Sequence, residues 1–202
     1  MAERNIIELK KLRPTQMTVG MLQVAHKRKK LRELVKRPAE LVEFIIARPI
    51  CIVLGPKGNA YVIDHHHLGL ALIRENYETA PMDVADDFSG YTLRNFWKKM
   101  EALHFVHPYD ANGKPQPLAD LPAKMTELKD DIYRSLAGFV REAGGYDKVP
   151  TPFAEFLWAD YFRAHISKKH VIAHFHKALE HALKLAHHPE ASYLPGFKRK
   201  KA

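Results

Sequence analysis

One segment constrains this chain more than any other. The apolar run Ile50-Cys51-Ile52-Val53-Leu54 is followed by Gly55-Pro56-Lys57-Gly58-Asn59 and then by a second run, Ala60-Tyr61-Val62-Ile63. Two short apolar runs around a Gly/Pro/Asn cluster read as a β-hairpin with a long loop. The second run does not end in another loop. It passes through Asp64-His65-His66-His67 into Leu68 to Arg74, a helical stretch with its start expected near His67. A strand feeding a helix through a tight polar turn leaves the helix N-terminus at the end of a sheet. First-turn N–H groups and a partial positive charge then favour an anion there. Imidazoles add donors, and Asp64 can cap the helix or orient a ring. Three adjacent histidines also make an ordinary polar turn with Asp64 as a plain N-cap, and the tripeptide alone does not separate the two.

The flanking pattern extends this unit. Ile6 to Leu9 reads as a strand, and Leu12 to Gln16 as a polar loop entering a helix near Val19, with Thr18 as N-cap and Leu22, Ala25, Leu31 and Leu34 as its buried stripe. Pro38 opens a second helix, Ala39 to Ala47, with Leu41, Phe44 and Ile45 on one face, and Arg48-Pro49 ends it. Met82 to Phe88 reads as a further strand. From Thr92 the pattern becomes helical. Thr92 to Leu103, Leu121 to Arg141 (stopped by Gly144-Gly145), Phe153 to His165 and His170 to Ala186 all read as helices. The expected fold class is therefore α+β. Residues 1–90 form a mixed core, and residues 91–202 form a mainly helical region that should pack on it.

The turn resembles the Asp-Gly-His-His-Arg turn of the ParB/sulfiredoxin superfamily, in which an Ala follows the Asp by seven positions, as Ala71 does here. The neighbours agree. Pro49 to Leu54 is similar to the strand before the hairpin, Leu41 to Ile45 to the preceding helix, and Ala80 to Val84 to the closing strand. The stretch Leu12-Arg13-Pro14-Thr15-Gln16-Met17-Thr18-Val19-Gly20 resembles the leading loop of the ParB-like nuclease branch. The resemblance covers residues 6 to about 90. It implies a ParB/sulfiredoxin-like core that binds nucleotide or nucleic-acid phosphate, with Asp64, His66 and His67 as the acid and histidines of the turn. Two positions depart from the pattern. His65 replaces the Gly, where a positive φ or a close approach to phosphate is useful, and Leu68 replaces the Arg, removing a bidentate phosphate contact. Arg13, Lys27, Arg28 or Arg74 would then have to substitute in space. With His65 at the position where sulfiredoxins use a Cys, sulfinic acid reduction is disfavoured. Residues 92–202 show no helix-turn-helix recognition pattern, so sequence-specific DNA partitioning is disfavoured as well.

Composition narrows the classes further. The single cysteine, Cys51, excludes an internal disulfide and a cysteine-built zinc site, and its apolar setting marks a small buried residue rather than a nucleophile. The formal charge is 32 − 23 = +9. It is concentrated in His26-Lys27-Arg28-Lys29-Lys30-Leu31-Arg32 with Lys36-Arg37, and in Lys198-Arg199-Lys200-Lys201. Basic runs attract phosphates, although they are also ordinary solvated surface. No apolar run approaches the length of a membrane span, and Met1 to Lys11 carries no signal-peptide core, so a cytoplasmic protein with no membrane partner is expected.

Three other groupings are weaker. His170 and His174 stand at i and i+4, with His181 seven beyond, which is metal spacing without a zincin glutamate; a solvated helix face accounts for it as well. Phe153, Phe156, Leu157, Trp158, Tyr161 and Phe162 repeat at helical spacing, as a buried face does, although an aromatic surface can also stack bases. Asp83, Asp86 and Asp87 are carboxylates of the kind that bind Mg²⁺ near a phosphate. The leading expectation is a metal-assisted nuclease or phosphodiesterase, with Mg²⁺ and a nucleotide as the candidate cofactors. His65, His66, His67, Arg13, Lys27 and Arg28 would hold phosphate, and Asp64, His66 and His67 would carry the chemistry. The alternatives are a small-molecule kinase of the superfamily's serine-phosphorylating type and a basic binding module without catalysis.

Overall fold

A computed structural model describes residues 5–199; Met1 to Arg4 and the tail residues Lys200 and Lys201 of the basic run lie outside the described residues. The chain divides into two compact units. Of the described residues, one holds 5–19 and 24–129, and the other 20–23 and 130–199. The division falls well beyond the change of pattern read near Gly90. The reason lies in the first unit's core, where Phe96 and Met100 are fully buried with Val53, Tyr61 and Phe88, and Phe105 and Val106 pack against them.

The first unit is built on a five-stranded sheet. Its strands are β1 (Ile6–Glu8), β2 (Leu12–Pro14), β4 (Ile50–Gly55), β5 (Asn59–Asp64) and β6 (Thr79–Asp87), in the order β1-β6-β4-β5-β2. A short β3 (Thr18–Val19) pairs separately with β7 (Lys129–Asp130). β4 and β5 form the expected antiparallel hairpin, and β6 returns parallel to β4. The hairpin loop turns on Lys57 and Gly58, both at positive φ (63° and 69°), and the Asn59 side chain donates to the Pro56 carbonyl at 2.7 Å.

The crossover between β5 and β6 is helix α3 (His66–Arg74), which starts slightly earlier than the apolar pattern suggests. Leu68, Leu70, Ala71 and Leu72 are at most 1% exposed. Each buried leucine contributes about 1.5–3 kcal/mol of transfer free energy. A Cβ at Gly69 would meet the Met125, Ile50 and Leu12 side chains at 3.4, 3.6 and 3.9 Å, ordinary van der Waals contact, so the packing of α3 here does not depend on glycine. Tyr61 packs instead against α4 (Leu93–Ala102), with its ring 4.6 Å from Phe96. Thr92 caps that helix through the Asn95 N–H.

Several expectations need correction. Leu12 to Pro14 is a strand, not a loop, because it pairs in parallel with Ala60 to Val62. Thr18 lies in β3 and caps nothing; its hydroxyl is buried without a hydrogen-bond partner among the described residues. Helix α1 (Met21–Leu34) begins instead where the Met21 N–H meets the Asp130 carboxylate at 2.9 Å. Its buried stripe is Val24, Leu31 and Leu34, with Leu22 39% exposed and Ala25 also exposed. Helix α2 (Pro38–Ile46) forms as read, but none of its residues is fully buried.

The second unit is helical: α5 (Ile132–Glu142), α6 (Ala154–His165), α7 (Lys168–Ala173) and α8 (Phe175–Ala186). The single helix expected over Leu121 to Arg141 is only its second half. Asp131 starts α5 by accepting the Tyr133 N–H at 2.9 Å, a cap that apolar spacing does not reveal. The helix expected over His170 to Ala186 breaks at His174, whose φ and ψ are −140° and 56°. Trp158, stacked on Tyr146 at 4.3 Å, anchors the core, and its indole N–H donates to the Pro195 carbonyl. The aromatic run of α6 is thus largely core, although Leu157 remains 45% exposed. No described helix is long and apolar enough to cross a membrane.

Candidate phosphate-binding turn

The segment Asp64 to His67 sits where β5 gives way to α3. His65 is the N-cap of α3 and adopts the left-handed conformation, φ 68° and ψ 24°. A glycine adopts this conformation freely, whereas other L-residues pay about 1–2 kcal/mol, with His among the more tolerant. The His65 N–H bonds the Asp64 carboxylate at 2.6 Å, and His65 Nδ1 lies 2.6 Å from the Pro49 carbonyl. A carbonyl only accepts, so Nδ1 carries the proton, and Nε2 then lies 4.0 Å from Asp64 Oδ2. The first bond within α3 runs from the Gly69 N–H to the His65 carbonyl at 2.9 Å.

The three histidines are not equivalent. The His65 side chain is 31% exposed, whereas His66 and His67 are only 4% and 8% exposed. His66 Nε2 faces Thr15, 3.4 Å from its N–H and 3.5 Å from its hydroxyl. The Thr15 hydroxyl in turn donates to the Val62 carbonyl at 2.7 Å, tying the end of β2 to β5. The Asp64 side chain is 66% exposed. Thr15 and Pro49 therefore hold the turn's rings. The sequence reading assigned neither a role, because both act through long-range pairing that spacing does not encode.

The basic residues proposed for phosphate are distributed differently. Arg13 stands opposite Tyr61, and its Nε donates to Asn59 Oδ1 at 3.1 Å. Asn59 opens β5, five residues before Asp64, or about 17 Å along an extended strand. Arg28 and Arg32 both bind Glu75, at 2.6 and 2.7 Å. Glu75 follows the last residue of α3, about 13 Å from its start. The two guanidiniums hold its carboxyl down at about 2. Lys27 is half-buried on α1, and Arg74 is exposed at the far end of α3. Leu68, at the position of the superfamily's Arg, is 1% exposed and packs inward.

Cys51 lies between two acids in the sheet, paired with Asp64 on β5 and with Asp83 on β6. Burial pushes the thiol upward, with the Asp64 and Asp83 charges adding to it, so this cysteine is held as the unreactive thiol. Asp86 and Asp87 are in register with Val53 and Leu54, farther from the turn than Asp83. Asp87 accepts the Ser89 N–H, and its carboxyl is lowered mainly by Ser89. Among the described residues, no three His, Cys, Asp or Glu side chains gather into a group that could hold a metal ion. His170 and His174 come within 5.6 Å, ring to ring, on either side of the break between α7 and α8.

The model of a family described as "Putative ParB-like nuclease" matches residues 5–164 of the chain. A solved structure, the crystal structure of protein Atu1540 from Agrobacterium tumefaciens, is 40% identical in sequence with a TM-score of 0.86. The match covers 96% of this chain and 97% of that one. A search of curated proteins returns no match.

Proposed function

We propose, from the premise that this chain belongs to the ParB-like nuclease family, that it binds the phosphate of a nucleotide or nucleic acid at the Asp64–His67 turn and cleaves a phosphodiester there. The observation that carries this reading is the left-handed His65 between β5 and α3. A left-handed residue followed by right-handed ones curves successive backbone N–H groups into a concavity suited to an anion. The α3 dipole favours negative charge at the same point. The exposed Asp64 and the partly exposed His65 are the groups that meet a ligand directly. His66 and His67, nearly buried, act by holding the turn.

Leu68 favours a second reading, a binding module without catalysis. With this side chain buried, the turn lacks the guanidinium that would stabilise charge on a transferring phosphoryl group. The two readings separate in one set of measurements. Binding of nucleotides, single-stranded and duplex DNA is followed by fluorescence polarisation with and without Mg²⁺, and cleavage is followed by gel. The first reading expects binding and Mg²⁺-dependent cleavage, both lost in His66→Ala and Asp64→Asn. Binding without cleavage supports the second. Transfer of phosphate from ATP to a free hydroxyl compound would support a kinase instead. Unchanged affinity in a folded His66→Ala variant removes the turn from the mechanism.

A further inference from the structure

We infer that His65 supplies the side-chain contact to the phosphate and does so as an imidazolium, so that binding a phosphodiester draws protons from solvent onto Nε2. This rests on the phosphate-binding reading of the turn and goes beyond it by naming the donor and its protonation state.

The tautomer argument comes first. The Pro49 carbonyl, 2.6 Å from Nδ1, fixes the ring proton on that nitrogen. In the neutral ring Nε2 is therefore an acceptor, and it faces another acceptor, Asp64 Oδ2, at 4.0 Å. A phosphodiester oxygen is also an acceptor. A neutral His65 can offer it nothing from Nε2, whereas the protonated ring donates from both nitrogens at once, to Pro49 and to the phosphate. Charge-assisted bonds of that kind are roughly twice as strong as neutral ones.

The alternatives for the donor are used elsewhere. Leu68, the residue after the three histidines, is buried and offers no donor. Arg13 is held by Asn59, and Arg28 by Glu75. Arg48, just before Pro49, points its guanidinium at the Phe44 carbonyl. His66 turns Nε2 toward Thr15. The titratable groups nearest His65 along the chain and in the strand pairing come from its own turn and from the adjoining strands. Asp64 belongs to the same turn, and Asp83 stands beyond Cys51 in the adjoining strands. His66 and His67 are the neighbours on α3. His65 thus bears a backbone cost at a positive-φ position while placing an ionisable ring at the head of α3.

The test uses a short oligothymidylate, whose phosphodiesters do not titrate near neutrality. Its binding is measured by calorimetry at pH 7.5 in two buffers of contrasting ionisation enthalpy. Wild-type protein should take up a fraction of a proton, up to about half for a tenfold coupling, and its affinity should fall several-fold between pH 6 and 8, within the roughly tenfold value of one charge-assisted bond. His65→Gly and His65→Gln should bind without proton uptake and with a flat pH profile; the glycine variant keeps the backbone conformation and serves as the folded control. Wild-type binding without proton uptake overturns the inference and leaves the phosphate-binding reading standing. Proton uptake that survives in His65→Gly but disappears in His66→Gln also overturns it. If the wild type binds neither oligothymidylate nor nucleotide, both fall together.

Discussion

The backbone at His65 can be tested independently of any ligand, through stability. Its φ of 68° is a position that glycine occupies without strain. His65→Ala keeps the left-handed backbone and loses the 2.6 Å bond to Pro49. A half-buried hydrogen bond is worth about 0.5–1.5 kcal/mol, so the alanine variant should lose about 1 kcal/mol. His65→Gly loses the same bond but is relieved of about 1–2 kcal/mol of backbone cost. Against that relief stands the greater freedom of glycine in the unfolded chain, about 0.4–1 kcal/mol. The net places glycine close to wild type and about 1 kcal/mol above alanine. His65→Val, with a branched Cβ, should be the least stable of the three. In thermal unfolding followed by far-UV circular dichroism the order should be Gly, then Ala, then Val, with the Gly–Ala gap near 2–4 °C in Tm for a chain of this size. Were alanine to equal or exceed glycine, residue 65 would not be left-handed. The concave run of amides on which the proposed function rests would then go with it.

Other expectations follow from single contacts. A Cβ on Gly20 would sit 2.7 Å from the Ser135 backbone, so Gly20→Ala should destabilise the second unit by about 1–3 kcal/mol in denaturant titration. Asp131, 2% exposed, caps α5 and pairs with Arg163 at 2.7 Å. Asp131→Ala should therefore cost about 3–5 kcal/mol, while Asp131→Asn, which keeps the cap, should cost less. The Glu75 carboxyl lies lower in the folded chain than in the unfolded one, held by Arg32 and Arg28, so its contribution is complete above pH 4.5 and fades as pH falls toward about 2. Glu75→Gln should flatten stability across that acid window, and an unchanged acid limb would show that the Arg28–Glu75–Arg32 group contributes nothing.

The parts of the fold that were legible in the sequence are those written in local chemistry. The β4–β5 hairpin follows from two apolar runs around Pro56-Lys57-Gly58, and the end of α5 from Gly144 at φ 83°. The parts that were not legible depend on distant partners. Nothing near Leu12-Arg13-Pro14 announces a strand, because the residues that pair with it are almost fifty positions away, on β5. The start of α1 is set by Asp130, over a hundred residues along the chain, which is why Thr18 looked like the cap. His174 carries no helix-breaking chemistry of its own, yet α7 and α8 part there.

The same division governs the site. Local sequence was enough to place a turn between a strand and a helix and to mark His65 as standing where a glycine would be useful. It could not rank three adjacent histidines, because their exposure is decided by what packs on them. Thr15 arrives from β2 to meet His66, and Pro49 arrives from the end of α2 to meet His65. Nor could it show that Arg13 and Arg28, similar in type to a phosphate ligand, are held by Asn59 and Glu75 at the far ends of β5 and α3. Charge alone points to every basic residue equally. Geometry leaves His65, with its ring partly exposed beside an exposed carboxylate, as the most accessible of the three imidazoles at this turn.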